Sequence, residues 1–434
     1  MSDTRIRPKV RDAIIRALSA GVVPGQGLQH IQVGRAAEIK AIIRSIDAIA
    51  DGGSAFKLVV GDYGAGKTFF LQLVRRLAFE KRMVTVHADF SPERRLVASS
   101  GQARNLYSEM ITNMSTRSRP DGNALNGVIE AFVAKAMSDA ESDGATAADL
   151  IQSRLAPLQD MVAGWDFAKV VAAYCNAHEQ SNDDLKQAAI RWLRGEYTTK
   201  IEARKHLDVR TIIDDSMVYD ALKLIKEFVR IAGHGGLLVV MDEAVNLFKI
   251  TNAQSRTANY EMVLRILNDT LQQGAGAEGL GVLIGITPEA VFDPRRGLCS
   301  YDALASRLAP NKFAERSGLV DMNQPSIHLQ SLTPEELFLL LTNIRTVFTN
   351  GENGAELIDD DGLHAFMDHC NKTIGSAYFK TPRETVRAFV NLLSMLEQYQ
   401  DRSWRDFISQ VSIHEDVQSV GDGDVADNLE SFRL

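Results

Sequence analysis

Gly61-Asp62-Tyr63-Gly64-Ala65-Gly66-Lys67-Thr68 is the stretch on which the fold turns. It is a complete G-x-x-x-x-G-K-[ST] loop, preceded by the apolar run Phe56 to Val60 and followed by the amphipathic run Phe69 to Leu77. Strand, glycine-rich loop and helix are the context this motif requires: backbone N–H groups turn inward around a polyphosphate, and the helix start adds its positive end. On this reading Gly61, Asp62, Tyr63, Gly64, Ala65, Gly66, Lys67, Thr68 and Phe69 bind the cofactor, Lys67 reaching the β- and γ-phosphates and Thr68 the metal. The expected cofactors are ATP and Mg²⁺.

A second half of the site is expected far along the chain. Leu237-Leu238-Val239-Val240-Met241-Asp242-Glu243 is an apolar run ending in two carboxylates, the Walker B pattern. A central parallel strand is covered on both faces and so must be apolar, and ligands bind at the carboxyl ends of such strands. Asp242 is the expected metal contact, and Glu243 the base or orienting group for an attacking water. A glutamate directly after the aspartate favours hydrolysis over storage of the nucleotide.

The 434 residues, 45% hydrophobic and 24% charged, are enough for two or three domains with a large core. No stretch approaches the roughly 18 to 20 uninterrupted apolar residues of a membrane span, and Met1 to Arg16 is too charged for a signal peptide. A cytoplasmic protein without a membrane partner is expected. Cys175, Cys299 and Cys370 lack metal-ligand spacing and read as reduced, structural residues. A net charge of −8 argues against a surface basic overall without excluding a local patch for nucleic acid.

Val33-Gly34-Arg35-Ala36-Ala37-Glu38, just before the phosphate strand, resembles a segment of AAA+ ATPases that lies against adenine; this adds Gly34 and Arg35 to the cofactor site, the alternative being an ordinary loop and helix. The expected fold is α/β, a P-loop NTPase of AAA+ type with a parallel sheet. Its expected parts are an N-terminal helical segment (1–30), a core (31–95 and 233–332), a helical insertion (96–232), a helical lid (333–412) and an acidic flexible tail (413–434). Ser91-Pro92-Glu93 reads as a helix start. The insertion is longer than a crossover needs, and reads either as an arm for a partner or as a packed elaboration of the core. Within it, Arg191 to Arg210 combines six cations with Trp192 and Tyr197, which suits a nucleic-acid contact or, equally in pattern, a solvated helix face with aromatics turned inward.

Leu280 to Ile286 reads as another core strand, placing Thr287 where a polar residue holds the attacking water or senses the γ-phosphate, unless Thr287-Pro288 simply opens a turn. Arg295, Arg296 and Arg307 compete for the role of an arginine completing a neighbouring subunit's site. Thr333-Pro334-Glu335-Glu336 and Thr381-Pro382-Arg383-Glu384 read as helix caps with proline at the first position. Arg383 then falls at the sensor 2 position of AAA+ proteins.

Together with the two Walker motifs, Ser91-Pro92-Glu93-Arg94-Arg95-Leu96, Asp293-Pro294-Arg295-Arg296-Gly297 and Tyr378-Phe379-Lys380-Thr381-Pro382-Arg383 make nearly the whole chain resemble the BrxD group of ATP-binding proteins of bacterial BREX (bacteriophage exclusion) systems. The resemblance implies an ATPase encoded with anti-phage defence genes. It also implies self-association and other defence proteins, a helicase among them, as partners, with DNA met directly or through one of them. Two other readings stay open: a nucleotide-controlled interaction switch that hydrolyses rarely, and a DNA-loading or DNA-remodelling motor like replication-initiator ATPases.

Overall fold

The structure, a computed structural model, describes residues 6–143, 146–272, 276–351 and 354–413. The acidic tail, from residue 414 onward, lies outside them. Five strands, β1 (Ala55–Gly61), β2 (Val84–Asp89), β3 (Leu237–Asp242), β4 (Leu280–Ile286) and β5 (Ser326–Leu329), form one parallel sheet in the order β2-β3-β4-β1-β5. Parallel strands need crossovers, and covering helices bury both faces, so β3 and β4 are buried along their whole length.

Side-chain alternation sorts the two faces. Leu58, Val60, Val86, Val239, Met241 and Val282 point into one core, and Val59, Leu238, Val240 and Leu283 into the other. The smaller core is closed by the helices Ala36–Ala50 and Lys67–Glu80, through Ile42, Ile46, Phe70, Leu71 and Val74. Each such side chain, fully buried, contributes about 1.5–3 kcal/mol relative to exposure. The larger core continues from the sheet through Leu106, Phe132, Phe167, Trp192 and Phe228 of the helices between β2 and β3. That continuity is what a packed elaboration of the core requires.

Contacts divide the chain into two units: residues 1–34, 63–65 and 331–434 form one, and residues 35–62 and 66–330 the other. In the first, Pro8–Ser19 packs on Pro334–Phe348 and Pro382–Gln398. Thr333 opens Pro334–Phe348 with a full capping box to Glu336.

Two local expectations change. Ser91-Pro92-Glu93 starts no helix; Ser91 and Arg94 exchange backbone hydrogen bonds of 3.1 Å in a tight turn, and the amides of Leu96 and Val97 are taken by the buried Asn259 side chain at 3.0 Å. The helix begins only at Gln102. Thr381 does not cap Pro382–Gln398 with its side chain; its hydroxyl instead donates backward to the Ala377 carbonyl at 3.0 Å.

One buried group makes stability pH-dependent. The Nδ1 of His87 on β2 is buried without a partner, and burial, then the Arg75 guanidinium, pushes its pKa from 6.5 down to about 4. The folded chain therefore holds His87 neutral where the unfolded chain would be protonated. The resulting stability is complete above about pH 6.5 and is lost as pH falls toward about 4. In thermal melts across that window, His87→Gln is expected to narrow the fall in Tm seen in the parent; an identical fall in both would remove His87 from the account.

Candidate nucleotide site

Gly61 closes β1, residues 62–66 form the loop, and the helix Lys67–Glu80 begins directly after it, so Lys67, Thr68 and Phe69 occupy its first turn. Gly66 caps this helix at φ 82°, a left-handed conformation that costs a residue with a Cβ about 1–2 kcal/mol. The Lys67 ammonium donates to the carbonyls of Gly61 and Asp62, both at 2.9 Å. Burial lowers its pKa, while Asp242, Glu243 and Asp62 pull the other way and favour the cation.

Parallel pairing through β4 brings the second half of the site to this helix. The Thr68 hydroxyl donates to Oδ2 of Asp242 at 2.7 Å, and Oδ1 of Asp242 accepts the backbone N–H of Glu243 at 2.8 Å. Asp242 is 7% exposed, whereas Glu243, the next residue, opens to solvent. Glu243 has φ 58°, unusual for a residue with a long side chain. Such backbone conformations cost about 1–3 kcal/mol and are concentrated at functional sites. Partial desolvation, then the Asp242 charge, raises the Glu243 pKa.

Gly285 on β4 leaves the space for this arrangement. A Cβ there would lie 2.3 Å from Oδ1 of Asp242 and 2.9 Å from Cδ1 of Leu71. Asp89, the last residue of β2 and not among the expected site residues, stands opposite Asp242 in the β2–β3 register. Its pKa is raised by desolvation and then by Asp242.

Thr287 follows β4 immediately, and its Oγ1 is buried without a partner. Among the three competing arginines, Arg296 is held by the carbonyls of Phe248 and Ile250 at 3.1 and 3.3 Å and lies over the Phe248 ring. Arg307 is exposed but bonded to Asn268 Oδ1 at 2.5 Å and to the Ala303 carbonyl at 3.0 Å. Arg295 is exposed, and among the described residues no group engages its guanidinium.

Arg35, left-handed at φ 61°, donates to the Gln330 carbonyl at 2.9 Å, and its Nη2 lies 3.8 Å from where a Cβ on Gly66 would stand. The guanidinium is thus beside the phosphate loop. In the first unit, Gly34 packs against the Glu336 carboxylate, and the Arg383 guanidinium lies 6.0 Å from the centre of the Tyr63 ring.

The aromatic residues of the basic stretch are not available for stacking on bases. Trp192 and Tyr197 are each 1% exposed; Trp192 donates to the Thr211 carbonyl, and Arg191 lies over Tyr197 while pairing with Glu202 at 3.0 Å. These aromatics serve the core.

The donor set suits Mg²⁺: a hydroxyl and a carboxylate already in contact, both hard oxygen ligands at the mouth of the phosphate loop. Among the described residues no group of three or more His, Cys, Asp or Glu is placed to hold a metal. A cation here therefore fits as Mg²⁺ commonly binds, through one carboxylate, phosphate oxygens and water.

Residues 6–412 match the model of the family described as BREX system ATP-binding protein BrxC/D. The chain belongs to the BrxC/D family. No curated protein matches it. As a BrxC/D protein it binds ATP and belongs to the BREX defence system, with other BREX proteins as partners. Among the described residues of this BrxC/D chain no helix is long and apolar enough to cross a membrane.

Gly285→Ala in this BrxC/D chain tests the coupling of β4 to Asp242. The added methyl must push Asp242 or Leu71 aside, an overpacking cost of about 1–3 kcal/mol. The expected result, read by urea denaturation and by ATP titration with and without Mg²⁺, is modest destabilisation with a selective loss of the Mg²⁺-dependent part of ATP affinity. Unchanged Mg²⁺ dependence would show that the carboxylate tolerates displacement.

Proposed function

We propose that this protein is a Mg²⁺-dependent ATPase of the AAA+ type, whose nucleotide state controls the assembly or activity of a DNA-acting defence complex. The single observation that carries this reading is the 2.7 Å contact between Thr68 and Asp242, which joins the phosphate loop to a carboxylate pair ending in Glu243. A bound Mg²⁺ would withdraw charge from the β- and γ-phosphate oxygens. Lys67 neutralises the same phosphates, and Asp242 and Thr68 are the groups that would hold the ion. Glu243, kept more basic than an ordinary carboxylate, accepts the proton of the attacking water. Thr287, whose hydroxyl has no internal partner, orients that water or a γ-phosphate oxygen.

Arg35 joins the phosphate side of the site in this proposal, because its guanidinium borders Gly66. Arg383 is assigned to sensing the γ-phosphate, supported by its place over Tyr63. Of the three candidates for the arginine acting on a neighbouring copy, we assign Arg295. A guanidinium already bonded within its own chain, as in Arg296 and Arg307, must break those bonds to reach another subunit, whereas Arg295 has none to break among the described residues. The helical region 96–232 and the region 333–412 are proposed as insertion and lid. An interaction switch with little turnover remains the second reading, favoured by the solvent-open position of Glu243, which a partner would have to close.

Steady-state phosphate release and ATP affinity separate these readings. Glu243→Gln is expected to bind ATP as the parent does and to lose turnover by about 10²–10⁴-fold; turnover near the parental rate would refute the assignment of the base. Lys67→Ala should lose ATP affinity itself. Arg295→Ala should bind ATP normally, hydrolyse it slowly and regain activity when mixed with Glu243→Gln subunits. Absence of that rescue would reject Arg295.

A further inference from the structure

The loop linking the helices Gln102–Thr112 and Leu125–Asp143, residues 113–124, carries Arg119 and receives arginines from two distant parts of the chain, Arg75 and Arg194. Arg75 donates to Ser115 Oγ at 3.2 Å, Arg119 to the Asn123 carbonyl at 3.5 Å, and Arg194 to the Asn123 side-chain oxygen at 3.2 Å. Arg104 packs its stem beside Gly195, immediately after Arg194. Two guanidiniums therefore converge on one exposed residue, Asn123, which is itself left-handed at φ 54°.

Carboxylates offset only part of this charge. Asp121 pairs with Arg76 at 3.4 Å, Glu80 with Arg117 at 3.6 Å, and Glu196 lies 3.9 Å from Arg194. Asp215 is nearby but takes the backbone N–H groups of Gly101 and Arg104. Among the described residues, Arg75, Arg104 and Arg119 have no carboxylate within ion-pair distance. The Nε atoms of Arg75 and Arg194 are also buried and unpartnered. Like charges gathered without full compensation cost stability unless an anion offsets them.

We infer that this face, built on the exposed Arg119 and the half-buried Arg104 and Arg194, with Arg75 half-buried on Ser115, binds the phosphodiester backbone of duplex DNA. The arginines are spread over several segments and not gathered around one cavity, so they suit a series of phosphates better than a single one. Planar guanidiniums also match phosphate geometry, and backbone contacts of this kind bind without reading sequence. The inference is independent of ATP hydrolysis.

The test is fluorescence anisotropy with the full chain, no nucleotide, and a labelled duplex of about 20 base pairs, titrated at several salt concentrations upward from about 50 mM. Arg104→Gln/Arg119→Gln is compared with Lys200→Gln/Lys205→Gln, which removes the same charge from an exposed helix elsewhere. The expected result is parental binding that weakens with salt. The arginine pair should lose at least about tenfold in affinity and about two units of salt slope, and the lysine pair about twofold or less. No binding by the parent at the lowest salt overturns the inference, as does an equal loss in both pairs. Displacement of the duplex by low millimolar inorganic phosphate at constant ionic strength would also overturn it, in favour of a single-phosphate site. ATP affinity, measured on the same variants, should be unchanged; this distinguishes failure of the surface from failure of the fold or of the nucleotide site.

Discussion

Thr68 and Asp242 are 174 residues apart in the chain and 2.7 Å apart in the fold, and the candidate nucleotide site depends on that meeting. The two belong to a helix and a strand that do not meet through neighbouring sequence. What joins them is β4, which pairs with β1 along one edge and with β3 along the other. Since β4 comes after both in the chain, the phosphate loop and its carboxylates reach their register only when residues 280–286 have entered the sheet. Non-local parallel pairing of this kind forms slowly, because the entropy of closing long loops is lost before the contacts compensate for it.

Closeness at the sheet's carboxyl edge sets the electrostatics. Asp89, Asp242, Glu243 and Asp62 share one neighbourhood with the Lys67 ammonium, and the shifts at Asp89, Glu243 and Lys67 follow from burial first and from neighbouring charge second. Asp242 pushes Asp89 and Glu243 toward protonation, while Asp242, Glu243 and Asp62 favour the lysine's charge. A polyphosphate held by Lys67 with a cation held by Asp242 would change that balance, bringing anionic charge to the one and positive charge to the other. The left-handed backbone at Glu243 is part of the same arrangement: it turns the side chain out of the strand's line just after Asp242 has been buried.

The sheet core was legible because two-sided burial demands uninterrupted apolar residues, as in Leu237 to Met241 and Leu280 to Ile286. The strand, loop and helix around Gly61 to Thr68 were legible because glycine spacing is a backbone requirement that composition cannot mask. Register was not. Nothing within β2 alone says that Asp89 will face Asp242, or that Gly285 must lack a side chain because a carboxylate from the next strand lies there. Local signals also misled where tertiary partners were decisive: Ser91-Pro92-Glu93 has cap chemistry, but Asn259, distant in sequence, takes the amides that follow. For Trp192 and Tyr197 the pattern left both a nucleic-acid contact and an inward packing open, and both lie in the core.

Charge shows the same division between what the whole chain says and what one place does. A chain of net charge −8 repels a polyanion at long range, and that repulsion is screened beyond a Debye length of about 8 Å at physiological salt. Within that distance only local groups count, and around residues 113–124 those groups are mainly arginines whose acidic neighbours are already paired. If that face meets a polyanion, the attraction would be local and would orient the polymer toward it. Phosphate would then be met in two different forms, once cradled by backbone at a helix start and once by guanidiniums that are exposed or half-buried. The first form suits a small nucleotide that must be held in one geometry, and the second a long polymer whose contacts repeat.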